Sequence, residues 1–268
     1  MIDRNLPIAA LFFGFRSPDK FRPFLWLSWV FYWYNLAEHY FFSNAAIMDQ
    51  TNKKQPSEQK INELRQAAEQ GDAEAQCQLG RCYFYGKGVS QDNAEAAKWF
   101  RAAAEQGHAA GQKSLGKCYD DGIGISEDKA EAKKWYLKSA EQGNAEAMFN
   151  LGAFHNKIDM AESLKWYRQA AELGNLDAQH ILALFCHYGV LGFPQDRMEA
   201  AKWYQQAAER GDPLAQYQLG WYYICGWADF PQDLAEAEKY FAKAAEQNND
   251  EAVSVQKLIK LVRKQMEW

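Results

Sequence analysis

A sixteen-residue stretch, DNAEAAKWFRAAAEQG, recurs five times along this chain and limits what the chain can fold into. In each copy an Asp lies seven residues before a Trp or Tyr, and a Gly or Asn lies eight residues after that aromatic residue. The copies are Asp92–Gly107, Asp128–Gly143, Asp159–Gly174, Asp196–Gly211 and Asp233–Asn248. Constant spacing of this kind predicts one local structure built five times, as in a solenoid.

The stretch carries the start, body and stop signals of a helix, which we name helix B. Each copy opens with Asp and has Glu three residues later, as at Asp92 and Glu95, which is the spacing of a capping box with Asp in place of Ser or Thr. Ala, Glu, Lys and Gln fill the body, and Gly107 stands where a left-handed residue ends a helix. The aromatic pair in each copy, such as Trp99-Phe100, recurs at helical spacing and is predicted to lie in the core rather than to form a ligand cage.

A second pattern precedes every helix B and predicts a helix A. A Leu, in most copies followed by Gly, lies eight residues after the Gly that ends the preceding helix, as at Leu79-Gly80. Four residues before the Leu a small residue lies on the same face, and the Gly after it is expected to let a neighbouring backbone come close. The small residues are Ala75, Gly111, Ala147, Ala178 and Ala215. The loop from A to B varies, and the deletion in the third copy, FHNKID, is expected to shorten only that loop.

Partial copies stand at both ends of the array. Residues Ser57 to Gly71 predict a half-repeat, and Asp250 to about Met266 predict a closing helix. The closing helix carries four cations and is expected to present a polar outer face. They are Lys257, Lys260, Arg263 and Lys264.

The pattern AxxxLGxxYxxGxGVxxDxxxAxxWYxxAAEQGxAxA resembles the Sel-1-like repeat, a relative of the tetratricopeptide repeats, over about residues 61 to 252. This resemblance implies an all-α fold, a right-handed α-α superhelix of about five helical hairpins with capping helices at both ends. It also implies that the A helices line a concave surface and that the chain is a scaffold or adaptor for other proteins or peptide segments. The solenoid is placed at 48–268, with repeats at about 72–107, 108–143, 144–174, 175–211 and 212–248.

Residues 1 to 47 differ in composition from the rest, since fourteen of them are Phe, Trp or Tyr. The run Pro23 to Ala37 is uncharged, but it is shorter than the roughly 20 residues that span a bilayer. A membrane anchor, a signal peptide and a mis-set gene start upstream of Met48 stay open as interpretations. The chain is expected to be cytoplasmic, with a membrane-tethered scaffold or an exported protein as the alternatives if this segment is genuine.

Charge and cysteine content limit which classes of partner and which cellular compartment are expected. The net charge of -5 is spread along the chain without a basic stripe, so nucleic acid is not an expected partner. Cys82 and Cys118 occupy equivalent places in successive repeats, where helices lie about 9 to 10 Å apart, too far for a disulfide. The five cysteines are therefore predicted to be mostly buried free thiols, which favours a reducing compartment.

Two chemical sites were considered. Ser114 to Lys117 spells S-x-x-K, and some cysteine-rich relatives of the resembled family bind or hydrolyse β-lactams, so a β-lactam-binding or β-lactamase-like protein is the enzymatic alternative. The same columns elsewhere read QLGR, NLGA and QLGW, and no S-D-N or K-T-G element accompanies the match, so we expect no enzyme. His180, Cys186 and His187 are spaced poorly for one ion, and both histidines are interpreted as surface residues. No metal or cofactor is expected.

The predicted binding surface is the face of each A helix that points away from its Leu. At about 100° per residue, this stripe comprises the positions two before, two after and five after the Leu. Large side chains there run from basic in the first copies to apolar in the last ones, as in a groove for a partner segment. The alternative is a set of ordinary solvated residues partly covered by the next repeat. The candidate partner-binding residues are Arg81, Lys113, Lys117, His180, Leu184, His187, Tyr217 and Trp221.

Overall fold

The computed structural model describes residues 57–155, 159–189 and 194–266, with side chains as far as Leu261. The interpretations of residues 1 to 47 lie outside the described residues, as do the stripe position at 156 and the side chains of Arg263 and Lys264. The described part of the chain lies within one compact unit, Pro56–Trp268.

Twelve α-helices and no strands make up the described residues. After the half-repeat α1, the A helices are α2, α4, α6, α8 and α10, the B helices are α3, α5, α7, α9 and α11, and α12 closes the array. Their bounds are α1 Glu58–Glu69, α2 Ala73–Tyr85, α3 Asn93–Glu105, α4 Ala109–Asp121, α5 Lys129–Glu141, α6 Ala145–His155, α7 Met160–Glu172, α8 Leu176–Tyr188, α9 Arg197–Glu209, α10 Pro213–Cys225, α11 Leu234–Glu246 and α12 Asp250–Met266.

Each helix packs mainly on the helices before and after it in sequence, first within an A–B hairpin and then from B to the next A. This one-dimensional packing is that of a repeat solenoid, so the prediction of an all-α solenoid of five hairpins between capping helices is confirmed. Among the described helices, none combines the length and the apolar character needed to cross a membrane.

The Asp that begins each B helix makes two contacts. Its carboxylate accepts a hydrogen bond from the backbone N–H three residues later, at 2.9 to 3.1 Å in all five copies. Its own N–H donates to a carbonyl near the end of the preceding A helix, as from Asp92 to Tyr83 at 3.0 Å. The third copy keeps this contact, from Asp159 to His155 at 2.8 Å, so its short loop leaves the register unchanged, as predicted.

The Glu of the expected capping box does not complete that box. Because the Asp N–H is already used by the A helix, Glu95 instead contacts Lys98 three residues on, at 2.8 Å. Three other copies repeat this exposed Glu–Lys pair, and in the fourth copy Glu199 contacts Arg168 of the preceding B helix at 3.2 Å. The Asp half of the capping prediction is therefore confirmed and the Glu half is wrong.

The glycines that end the B helices have left-handed backbones, as predicted. At Gly107 φ is +87°, and the N–H of His108 donates to Ala103 O while that of Gly107 donates to Ala104 O. This pair of bonds satisfies carbonyls that the helix end leaves open. Asn248 takes the same role in the last copy with φ +64°.

The two aromatic residues of each B helix make different contacts. The second residue lies inside its own hairpin. In four of the five copies its ring packs on the Gly that follows the Leu of helix A, and in the fourth unit Ala183 stands in place of that Gly in the cluster with Tyr204. A Cβ on that Gly would lie only 2.6 to 2.7 Å from the ring. The Gly therefore makes room mainly for the aromatic side chain. The sequence had predicted that it makes room for a neighbouring backbone. These pairs are Gly80 with Phe100, Gly116 with Tyr136, Gly152 with Tyr167 and Gly220 with Phe241.

The first residue of the pair contacts the preceding unit. Trp99 is half-buried and packs on the cluster of Ala68, Ala75 and Leu79, and Trp135 packs on the cluster that contains Phe100. Trp166, Trp203 and Tyr240 repeat this placement. One aromatic residue thus closes a hairpin and its neighbour joins hairpins, so the prediction that these rings are core is confirmed.

A buried glutamine in helix A joins consecutive units by hydrogen bonds. The amide of Gln112 donates to Ala104 O of the preceding B helix at 3.3 Å, and its oxygen accepts from Gln142 at 2.7 Å. Gln142 also reaches Gly107 O at 2.9 Å. Gln76 with Gln106, and Gln216 with Gln247, repeat the arrangement. We name this arrangement the glutamine bridge.

The third unit lacks the glutamine bridge at both of its ends, and the fourth unit alters it at one end. In the third unit Met148 and Leu173 stand at the two positions, so both amides are lost together. In the fourth, Arg210 replaces the second glutamine and donates to Gly174 O, and Gln179 pairs with Gln206 at 3.3 Å instead. The joint between the second and third units therefore lacks the glutamine bridge, although Lys113 and Glu146 still pair across it at 2.6 Å.

Replacing Gln112 by Met should lower the free energy of unfolding by about 1 to 3 kcal/mol, because two buried hydrogen bonds, each worth about 0.5 to 1.5 kcal/mol net, are lost. Urea denaturation followed by circular dichroism measures this. Gln78→Met makes the same change at an exposed position of α2 and should stay within about 0.5 kcal/mol of the parent. Equal stability of the two variants would contradict a structural role for the bridge.

Candidate partner-binding face of the A helices

The eight candidate residues occupy three recurring positions of the A helices. Counted from the residue that caps each A helix, such as Asp72 or His108, they lie five, nine or twelve residues on. Position five holds Lys113, His180 and Tyr217, position nine holds Arg81, Lys117, Leu184 and Trp221, and position twelve holds His187. The structure gives these positions different surroundings.

Position five packs against the next A helix. Lys113 Nζ lies 2.6 Å from Glu146 Oε2, in the first turn of the following A helix, and its charge lowers the pKa of Glu146. Cys77, at the same position in the first unit, is only 3% exposed. Packing therefore does constrain this part of the stripe, contrary to the expectation from a single helical wheel.

Position nine is the accessible column of the stripe. Arg81 is exposed and makes no ion pair with a described residue, and Ala153 is exposed as well. Lys117, Leu184 and Trp221 are partly exposed. Lys117 Nζ lies 2.8 Å from Asp121 Oδ2 on its own helix, so its charge is partly compensated. The column changes from cationic in α2 and α4 to apolar in α8 and α10.

The interpretation of His180 and His187 as surface residues is wrong, because they are 5% and 4% exposed. His187 Nδ1 lies within hydrogen-bond distance of the Tyr222 hydroxyl, at 2.7 Å, and its ring centroid lies 4.9 Å from that of Trp227. Burial, with the nearby charge of Arg197, lowers the pKa of His187 to about 4. Burial also lowers the pKa of His180.

The loop after α10 explains why the helical pattern misplaced His187. Trp227 and Phe230 fold back onto Tyr222, with ring centroids 5.6 Å from it, and Arg197 lies over Trp227 at 4.7 Å. Residues far apart in sequence thereby cover a histidine that α8 alone would leave open. Only the aromatic composition of GWADFPQD could have hinted at this cover.

Tyr217 and Trp221 form an aromatic platform on α10. Their ring centroids lie 5.7 and 5.8 Å from that of Phe241, and both side chains stay partly exposed. Burial raises the pKa of Tyr217, and the carboxylate of Glu251 in the first turn of α12 raises it further. The platform is therefore held from below by the core and reaches toward the closing helix.

The residues considered for chemistry are placed as structural groups. Ser114 and Lys117 lie on α4, where the Lys117 amine contacts Asp121. Within the described residues, no group of three or more His, Cys, Asp or Glu side chains could hold a metal ion. All five thiols are free and four are buried, as predicted, and burial raises the pKa of Cys77 and of Cys118 to about 11.

Two open surface cavities, of about 330 and 400 Å³, lie on the side of the B helices. The sequence pattern did not predict them. They are lined by equivalent residues of α3 and α7, including Lys98 with Arg101 and Lys165 with Arg168. Both recur with the repeat and neither contains a stripe residue, so they do not compete with the A-helix face.

Comparisons with known proteins agree with the repeat geometry. A family model described as Sel1 repeat matches residues 73–108, 109–144, 145–175, 176–212 and 213–249. A search of curated proteins gives no match.

Among solved structures, a Sel1 repeat protein from Oxalobacter formigenes is 35% identical, with 74% of this chain and 80% of that chain covered and a TM-score of 0.63. A protective antigen of uropathogenic Escherichia coli with an SLR fold is 31% identical at a TM-score of 0.64, and the match covers 93% of this chain but only 54% of that one. An immunity protein from Pseudomonas aeruginosa, 17% identical over 80% of this chain and 82% of that chain, shares the fold with a TM-score of 0.54.

Buried His187 should make stability depend on pH. Its pKa is lowered from an ordinary 6.5 to about 4. A shift of this size corresponds to a contribution of about 3 kcal/mol to the pH dependence of the free energy of unfolding. The unfolded chain binds this proton below pH 6.5 and the folded chain only below about 4, so the free energy of unfolding should fall as pH drops through that window. The free energy of unfolding of His187→Gln should fall less than that of the parent between pH 7 and 4. The difference in stability between the two proteins should therefore shrink as the pH drops. A pH-independent deficit in urea titrations would refute this.

Proposed function

Because this chain belongs to the Sel1 repeat family, we propose that it is a non-enzymatic scaffold that binds segments of partner proteins along position nine of its A helices. The Sel1 repeat solenoid is a general protein-interaction fold, and members of the family bind other proteins. The observation that carries the finer proposal is that position nine stays accessible while positions five and twelve are largely occupied by packing.

The accessible column fits an extended segment that is acidic at one end and apolar at the other. Arg81 and Lys117 supply positive charge in the first two units, and Leu184 and Trp221 supply apolar surface in the last two. With adjacent A helices about 10 Å apart, five successive positions span about 40 Å. An extended chain of about 12 residues covers that distance.

The candidate residues divide into contacts and supports under this proposal. Arg81, Lys117, Leu184, Trp221 and the exposed edge of Tyr217 would touch the partner. Lys113 holds Glu146, and the buried His180 and His187 fill the joints beneath the stripe. Loss of a supporting residue should act through stability, whereas loss of a contact should act on binding alone.

Two changes at position nine, at the exposed Arg81 and the partly exposed Leu184, test the proposal with little risk to the fold. The full chain is used to isolate its partners from the native cell, and the partner bound by the parent is then titrated with purified variants. Arg81→Glu and Leu184→Glu should each weaken its binding at least about tenfold, since each places an acid against the segment. Lys98→Glu, a charge reversal on a B helix where the side chain is 72% exposed, is the matched control.

The pattern across the three variants decides the outcome. Weaker binding in both stripe variants, with parental binding in Lys98→Glu and unchanged melting in all three, supports the A-helix face. Equal loss in all three would point to a general charge effect. Parental affinity in Arg81→Glu and Leu184→Glu would remove the stripe from consideration.

The proposed absence of catalysis has its own test. We expect no hydrolysis of nitrocefin by the purified chain above the buffer rate, because Lys117 is paired with Asp121 rather than placed to activate Ser114. The assay follows the absorbance of opened nitrocefin, with Ser114→Ala as the comparison. Turnover in the parent that is lost in Ser114→Ala would overturn the non-enzymatic proposal.

A further inference from the structure

The closing helix α12 is built as an A helix. The side-chain oxygen of Asn249 caps it by accepting a 2.8 Å hydrogen bond from the Ala252 N–H. Equivalent residues cap the five A helices, α2, α4, α6, α8 and α10, in the same way. Ala252, Val255 and Ile259 are buried against the array. The same position numbers therefore apply to α12 as to the A helices before it.

Two faces of an A helix are normally covered by two different neighbours. Positions eight and eleven face its own B helix, as Gly80 and Tyr83 do in the first unit. Positions five and twelve meet the next A helix, as in the Lys113–Glu146 ion pair and the His187–Tyr222 hydrogen bond. On α12, no described helix occupies either place.

The two open faces of α12 differ in chemistry. On the side of a B helix stand Lys257 and Lys260, so the expected polar cap is present there. On the side of a next A helix, position twelve is Leu261, which is 60% exposed, and Leu258 at position nine beside it is 42% exposed. The prediction of a polar outer face is therefore right for one side and wrong for the other.

The charge beside these leucines on α12 is positive. Lys257 and Lys260 are exposed and make no ion pair with any described residue. No acidic residue lies between Ala252 and Leu261, although the whole chain has a net charge of -5. Two α12 helices from different copies would bring these lysines together, which disfavours self-association through this face.

We propose that Leu258 and Leu261 dock an amphipathic helix of a partner protein, with acidic residues flanking its apolar face, in the place of a next A helix. The apolar pair supplies the contact area, and Lys257 and Lys260 pair with the partner's carboxylates as Lys113 pairs with Glu146. This surface lies on α12, outside the five hairpins whose position nine carries the proposed function, so the two proposals can fail separately.

Two labelled model peptides of about eighteen residues, long enough to form a helix, are the probes. They share one Leu/Ala face and differ only in having Glu or Lys beside it, and binding to the full chain is followed by fluorescence anisotropy. The Glu peptide should bind at least about tenfold more tightly than the Lys peptide, with an affinity that falls as salt rises.

Variants locate the site. The double variant Leu258→Glu/Leu261→Glu should weaken binding of the Glu peptide at least about tenfold. The control Leu173→Glu changes a leucine outside α12 that is 55% exposed, and it should leave this binding unchanged. Lys257→Glu/Lys260→Glu should reverse the preference between the two peptides. Circular dichroism and melting check that each variant is folded, and Lys98→Glu, on a B helix outside both surfaces, should leave peptide binding unchanged.

Four results would overturn the proposal. They are binding of neither peptide, equal binding of both, a self-association that Leu258→Glu/Leu261→Glu abolishes in sedimentation, and binding to anionic vesicles that depends on the same two leucines in place of peptide binding. The third would assign the face to a second copy and the fourth to a lipid surface.

Discussion

The whole array depends on the Asp that stands between each A helix and its B helix. Its N–H ends the A helix by donating to a carbonyl there, and its carboxylate begins the B helix by accepting from the backbone N–H three residues on. One residue thus fixes the distance and direction between two helices, whatever the length of the loop. The third unit shows this, because its short loop still leaves Asp159 bonded to His155.

Packing within and between units then determines which surface is left for function. The second aromatic residue of each B helix fills the hairpin, in four copies over a Gly. The first packs on the unit before it, and the glutamine bridge joins most units. The third unit replaces both ends of that bridge, by Met148 and Leu173, so its joint with the second unit lacks these amide hydrogen bonds and keeps the Lys113–Glu146 ion pair. After these demands are met, position nine of the A helices is the column that packing leaves most open.

The accessible column and the closing helix present two different surfaces. Position nine runs from Arg81 to Trp221 across five hairpins, as an elongated surface suits an extended segment. Leu258 and Leu261 form a short apolar strip beside lysines, in the place where the array would add a helix. A scaffold with both would hold one partner along its A helices and another at its end.

The sequence by itself determined the helices, the Asp caps and Gly ends of the B helices, the five hairpins and the aromatic core, because these follow from local spacing that repeats in every unit. It also predicted a binding stripe on the face of each A helix opposite its core, and that assignment stays a prediction. Tertiary structure decided which stripe residues are reachable. Lys113 is engaged by Glu146 of the next helix, His187 is covered by a loop some forty residues further on, and Leu261 is uncovered because no described helix follows α12. A helical wheel describes one helix, whereas exposure depends on what the neighbouring units bring against it.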